Sequence, residues 1–170
     1  MQARPKIKLE LTTADKIFEF VGWISMVMVC VFTISNYEKL PDIIPIHFGA
    51  DGHADGYGRK LNILLLPFIA TVLFIGLTIL NRFPHVFNYP TYITEENAYR
   101  QYTNATRLIR YLKFIIVIIF GIIAFQTCEY AKVKTMGLGV WFLPLIFGLI
   151  FIPLTYFLIK MLKEKDKKKI

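Results

Sequence analysis

Long stretches of this sequence hold almost no charge. Residues 17–36 contain Glu19 as their one ionisable acid, and residues 61–80 and 137–159 contain no Asp, Glu, Lys or Arg. Blocks of that length exclude an ordinary soluble domain, whose apolar residues recur as stripes rather than as runs. Cysteine is scarce as well. Cys30 and Cys128 each sit inside or at the edge of an apolar block, where a thiol packs as a small hydrophobe, and two cysteines make no disulfide framework. No G-x-S-x-G, H-E-x-x-H or Walker pattern occurs, so neither a familiar serine or zinc hydrolase nor a nucleotide-driven machine is indicated. Repeats and low-complexity tracts are absent apart from a lysine-rich end.

What is present is apolar. Hydrophobic residues make up 55% of the chain and aromatics 15%, with a mean hydropathy of +0.50. The expected fold is an all-α integral membrane protein with four transmembrane helices and a structured external loop between the first and second. A helix rising about 1.5 Å per residue needs roughly 20 residues to cross a hydrocarbon core about 30 Å thick. Four blocks meet that length: residues 17–36, 61–80, 111–131 and 137–159. The first follows a basic leader, yet it is long for a signal-peptide core and no small-x-small cleavage site follows it, so it is read as a retained span. Pro67 predicts a kink in the second block, Pro144 and Pro153 lie in the fourth, and residues 130–136 leave room for only a tight hairpin.

Basic residues set the orientation, because Lys and Arg beside a span resist translocation. Arg4, Lys6, Lys8 and Lys16 precede the first span. Arg82, Arg100, Arg107, Arg110 and Lys113 lie between the second and third, and Lys160, Lys163, Lys165, Lys167, Lys168 and Lys169 lie at the end. Lys39, Arg59, Lys60, Lys132 and Lys134 fall on the other side. This asymmetry predicts both termini in the cytoplasm. The expected division is a cytoplasmic segment 1–16, one four-span domain 17–163 with an external loop 37–60 and a cytoplasmic loop and helix 81–113, and a basic tail 164–170. The net charge of +8 is spent beside the spans rather than in a groove-lining patch, which argues against nucleic acid and for the lipid bilayer as partner. The Asn104-Ala105-Thr106 sequon falls on the cytoplasmic side and carries no glycan there.

Thr94 followed by Glu95 and Glu96 is a helix start, with acids where they favour the helix dipole. Ala98, Tyr102, Ala105, Ile109, Leu112 and Ile116 continue at spacings of four and three, so the third span is expected to end one long helix that begins in the cytoplasm. Upstream, FPHVFNYP suits an irregular segment at headgroup level. Glu19, just inside the first span, is expected to pair with Arg107, Arg110 or Lys113, the alternative being proton handling.

Residues 40–60, LPDIIPIHFGADGHADGYGRK, are the most unusual stretch. Pro41 and Pro45 hold the chain extended with Ile44 and Ile46 on one face, while Gly49, Gly52, Gly56 and Gly58 permit tight turns with positive φ, so a compact hairpin or loop capping the bundle is expected. His47, Asp51, His53 and Asp55 have the chemistry of a zinc-type ligand set. The competing reading makes Asp51 and Asp55 turn formers and His47 a loop hydrogen-bonder. An EF-hand is excluded, because its twelfth position would be Asn62.

The same stretch resembles the signature of a widespread family of small bacterial membrane proteins bearing a domain of unknown function, DUF1648, which also occurs in SdpI-type immunity proteins. The matching positions are Leu40, Pro41, Asp42, Ile44, Pro45, His47, Phe48, Gly52, Asp55 and Lys60, and the segments 94–97 and 106–110 are also similar. The resemblance implies resistance to a secreted toxic peptide and capture of a repressor at the membrane. SdpI-type proteins join the domain to further spans, and only four spans are expected here. Three functions follow as expectations. The first is a non-enzymatic protein whose external loop recognises or excludes a peptide or small ligand, with Arg100, Arg107 and Arg110 offered to a cytoplasmic protein. The second is a metal-dependent enzyme at the His/Asp loop, its metal activating water. The third is a small transporter subunit, which would need a homo-oligomer to build a pathway.

Overall fold

The structure is a computed structural model and describes residues 4–133 and 137–163. Four helical segments are long and apolar enough to cross a membrane, the second of them being Lys60–Leu80, a 3-10 turn continued by a helix. Helix α1 is Thr13–Tyr37, α2 is Leu65–Leu80, α3 is Glu95–Val133 and α4 is Phe142–Lys163. Between α1 and α2 lie two strands, β1 (Ile43–Phe48) and β2 (Ala54–Arg59), paired antiparallel. The chain is a multi-pass membrane protein whose one sheet among the described residues is this hairpin.

Helix α1 starts four residues before the apolar block. Thr12 accepts from the Asp15 N–H at 3.2 Å and donates its own N–H to the Asp15 carboxylate at 3.1 Å, a reciprocal cap that satisfies two free backbone donors. Helix α3 starts at the expected place. The Thr94 carbonyl takes the first helical bond from Ala98, and the Thr94 N–H donates to Asn97 Oδ1 at 2.9 Å. Its 39 residues make a rod about 58 Å long against a hydrocarbon core of about 30 Å, so its first half stands outside the apolar layer.

Helix α3 is the central element. It packs on α1, α2, α4, β1 and the short 3-10 turn Pro84–Val86. Its apolar window is 39% buried against 6% for α4, whose large side chains Phe147, Phe151, Ile152 and Tyr156 face outward. Within the apolar layer Met26, Ala70, Phe74 and Val117 form the core shared by α1, α2 and α3, and Gly22 lets the Phe74 ring approach α1. Ala98, Tyr102 and Ala105 are buried as their spacing predicts, whereas Ile109, Leu112 and Ile116 are only half-buried, because farther along α3 the inward face carries Arg110, Lys113, Ile115 and Val117.

The proline expectations change in detail. The chain enters α2 through a 3-10 turn, Lys60–Leu64, and Pro67 sits in the first α-helical turn, where a missing N–H costs little. Pro144 likewise falls in the first turn of α4, and Pro153 lies inside that helix. The cysteines are free, with Cys30 Sγ 3.8 Å from Thr71 Oγ1 and Cys128 buried. Lys134 and the basic tail 164–170 lie outside the described residues.

Candidate functional site

The hairpin packs on one end of the bundle through a few residues of the 40–60 stretch. Leu40 and Ile44 drop into a cluster with Ile63 and Cys128, walled by Phe32, Tyr37 and Leu66. Lys60 closes the base: its N–H donates to the Asp42 carbonyl at 2.9 Å, its ammonium stands 3.5 Å from the Asp42 carboxylate, and it lies 5.4 Å from the Tyr37 ring centroid. Asp42 is open to solvent, so this pair positions the strand ends more than it stabilises them.

Strand alternation fails in the middle of β1. A register shift between Pro45 and His47 leaves Ile44 1% exposed and Ile46 52% exposed, so these two isoleucines do not share a buried face. Of the four hairpin glycines only Gly52 has a positive φ, +80°. Gly56 is needed for closeness instead, because a Cβ there would stand 2.9 Å from the His47 Cβ, whereas one on Gly58 would meet chiefly the movable ends of Ile46 and Asn62, at 2.8 and 3.0 Å.

Gly52 also ties the hairpin to the α3–α4 connection. Its carbonyl accepts from the Leu138 N–H at 3.0 Å, and a Cβ there would collide with the backbone of Gly139, which itself has φ +74°. Phe48 meets Tyr130 of α3 edge to face at 6.2 Å, and the Tyr57 and Tyr130 hydroxyls lie 3.0 Å apart. That hydrogen bond pushes the Tyr57 phenol above its ordinary pKa.

The four His and Asp side chains are divided between tasks. His47 Nδ1 is bonded to Asp55 Oδ1, an exposed pair that fixes the imidazole orientation. Asp51 accepts from the His53 N–H at 3.0 Å, which is the turn-forming role. His53 and Asp51 are exposed, and among the described residues no three His, Cys, Asp or Glu side chains gather in a metal-binding group.

Beneath the hairpin lies a cavity of about 500 Å3. Ile44, Pro45, Ile46, His47 and Phe48 form its roof, Asn62, Ile63, Leu65, Leu66 and Ile69 one wall, and Ile123, Thr127 and Leu138 the other. The lining is apolar with a few polar groups, His47, Asn62 and Thr127, which is the composition of a site that buries an apolar body and orients it by a few hydrogen bonds.

The opposite end is built from charge. Asp15 holds Arg107 at 3.0 and 3.2 Å and stands 3.6 Å from Arg110. Glu19 accepts from Arg110 Nε at 3.1 Å through one oxygen and from Lys113 through the other, so the expected pairing is present with two partners at once. Lys113 is 1% exposed, donates to Thr78 at 2.8 Å and lies 4.5 Å from the Phe74 ring centroid. Arg110 is buried and Arg107 is engaged, which leaves Arg100 as the exposed guanidinium of the three. The amino-terminal segment straps this end: Tyr102 donates to the Pro5 carbonyl at 3.1 Å, and Arg4 lies 5.7 Å from the Tyr89 ring centroid. Burial pushes the Tyr89 phenol above its ordinary pKa. The Thr12/Asp15 cap is a T-x-x-D pattern that could have been read in the sequence; the burial of Lys113 has no local signal.

Residues 24–71 match the model of DUF1648, a domain of unknown function. The matched segment runs from α1 through the hairpin into α2, so the domain expected from the 40–60 signature is present. An uncharacterized protein of Archaeoglobus fulgidus is 28% identical over 151 residues, which cover 84% of this chain and 81% of that protein. No solved structure matches.

Proposed function

We propose that this multi-pass membrane protein is a non-enzymatic recognition protein of the cytoplasmic membrane, with the hairpin outside and both termini inside. It takes an apolar segment of an extracellular peptide or small ligand into the cavity beneath the hairpin. The cavity carries the reading: its volume of about 500 Å3 falls in the range of small-ligand sites, and its few polar groups sit against an apolar lining. The basic-residue asymmetry supports the orientation, because the described cations of the charged end lie beside spans. Resemblance to SdpI-type proteins supports a defensive role against membrane-active peptides, with immunity or envelope signalling as the cellular outcome. Placement in a bacterial inner membrane rests on that resemblance.

The test is sensitivity of cells with and without the chain to a panel of neutral hydrophobic and cationic amphipathic peptides. Cells lacking it should be inhibited at lower concentrations of at least one class, and the Ile123→Trp variant, which fills the cavity from α3, should behave like the deletion while reaching wild-type levels in the membrane. Unchanged sensitivity to every class contradicts the proposal.

A further inference from the structure

At the end of the bundle away from the hairpin, a second cavity of about 410 Å3 opens between the amino-terminal segment, the last turn of α2 and α3. Lys8, Arg82, Arg110, Glu19, Thr78 and Asn81 supply its polar lining. Lys8 and Arg82 are exposed and have no acidic partner among the described residues, while Arg110 is buried.

The charges do not balance. Two carboxylates, Asp15 and Glu19, serve three cations, Arg107, Arg110 and Lys113, so the buried network carries a positive surplus before Lys8 and Arg82 are counted. Both Glu19 oxygens are already occupied, and the acid offers little opposition to an incoming anion. A second, independent observation concerns Asn81. Its Nδ2 donates to the Thr106 carbonyl at 3.1 Å, which fixes the amide orientation, and its Oδ1 is buried without a hydrogen-bond partner among the described residues. A buried acceptor left unpaired is costly, and an anion alone cannot satisfy it. A hydroxyl can.

The depth is that of lipid headgroups. Arg82 follows directly on the uncharged helix α2, and the apolar centre of α3 begins at Phe114, just after Lys113. Phosphoesters at that level are the anions that Lys and Arg meet. We propose that this cavity binds an anionic phosphoester bearing a free hydroxyl, of the kind found in a phosphatidylglycerol headgroup, with the phosphate held by Lys8 and Arg82 and the hydroxyl donating to Asn81 Oδ1, which the incoming headgroup uncovers.

The full chain, purified in detergent, is tested by native mass spectrometry with phosphatidylglycerol, phosphatidylmethanol and phosphatidylcholine, and by titration with glycerol 3-phosphate after delipidation. Phosphatidylglycerol should be retained at least about tenfold better than phosphatidylcholine, from two added cation contacts near a surface. The Lys8→Gln/Arg82→Gln double variant should lose that preference, and Lys39→Gln/Arg59→Gln, which removes equal charge from the hairpin end, should keep it. Phosphatidylmethanol matches the charge without the hydroxyl and should bind more weakly; equal retention removes Asn81 from the proposal. Glycerol 3-phosphate binding that depends on Lys8 and Arg82, without a lipid preference, identifies a soluble phosphoester as the occupant. If neither probe binds selectively, or both double variants lose binding equally, the site is overturned and its charge is ordinary surface electrostatics.

Discussion

The two ends of the bundle are held by opposite means. The hairpin end relies on backbone geometry, close glycine contacts and aromatic packing, and its ion pairs, His47 with Asp55 and Lys60 with Asp42, are largely open to solvent. The other end joins α1 to α3 through buried or half-buried charges that reach inward as far as the Phe74 ring. Exposed pairs contribute little to stability, whereas a buried charge that loses its partner is strongly destabilising. The difference predicts that the charged end locks the helices while the hairpin end remains the adaptable one.

The largest effect is expected from Glu19→Ala, which strands Lys113 and removes one of two acids facing Arg110. It should destabilise the protein by about 3–5 kcal/mol, read as a fall in the thermal unfolding midpoint in detergent. Replacing the pair together, Glu19→Leu with Lys113→Met, should restore most of that loss; equal damage from the double variant would show that the pair is not the unit of stability. Next in size is Gly52→Val, which forces a branched residue to φ +80° against the Gly139 backbone. A loss of about 2–3 kcal/mol is expected, with hydrogen exchange rising first at the hairpin and the following connection. Tyr130→Phe removes the bond to Tyr57 but keeps the ring against Phe48, and because that bond is open to water it should lower the unfolding midpoint less than Gly52→Val does. Smallest is His47→Ala, expected to shift stability by less than about 1 kcal/mol, because the pair it breaks is exposed. If His47 proved as costly as Glu19, the contrast between the ends would fail.

Much of the fold can be read from the sequence, for physical reasons. Uncharged blocks reveal spans because lipid tolerates nothing else, and the Thr94 start with its four-and-three spacing revealed the long α3. The pairing of Glu19 was expected from the cost of a lone carboxylate at that depth. The hairpin was harder. Its glycines announce turns, but only contact with Gly139, far along the chain, shows why Gly52 has no room for a side chain, and only the nearby His47 Cβ shows why Gly56 has none. The shift that turns Ile46 outward is likewise invisible in an alternating pattern. The His/Asp spacing supports two readings because turn-forming Asp and metal-binding Asp share one composition; in the structure Asp51 accepts from the His53 N–H and Asp55 pairs with His47.

Everything proposed for the hairpin end depends on the cavity beneath it accepting an apolar segment. The most direct test is titration of a fluorescein-labelled neutral hydrophobic peptide into the full chain in lipid nanodiscs, compared with Ile123→Trp and Lys8→Gln. Saturable binding that Ile123→Trp abolishes and Lys8→Gln leaves intact is the predicted result. A linear uptake identical in all three proteins, equal to that of empty nanodiscs, would contradict it.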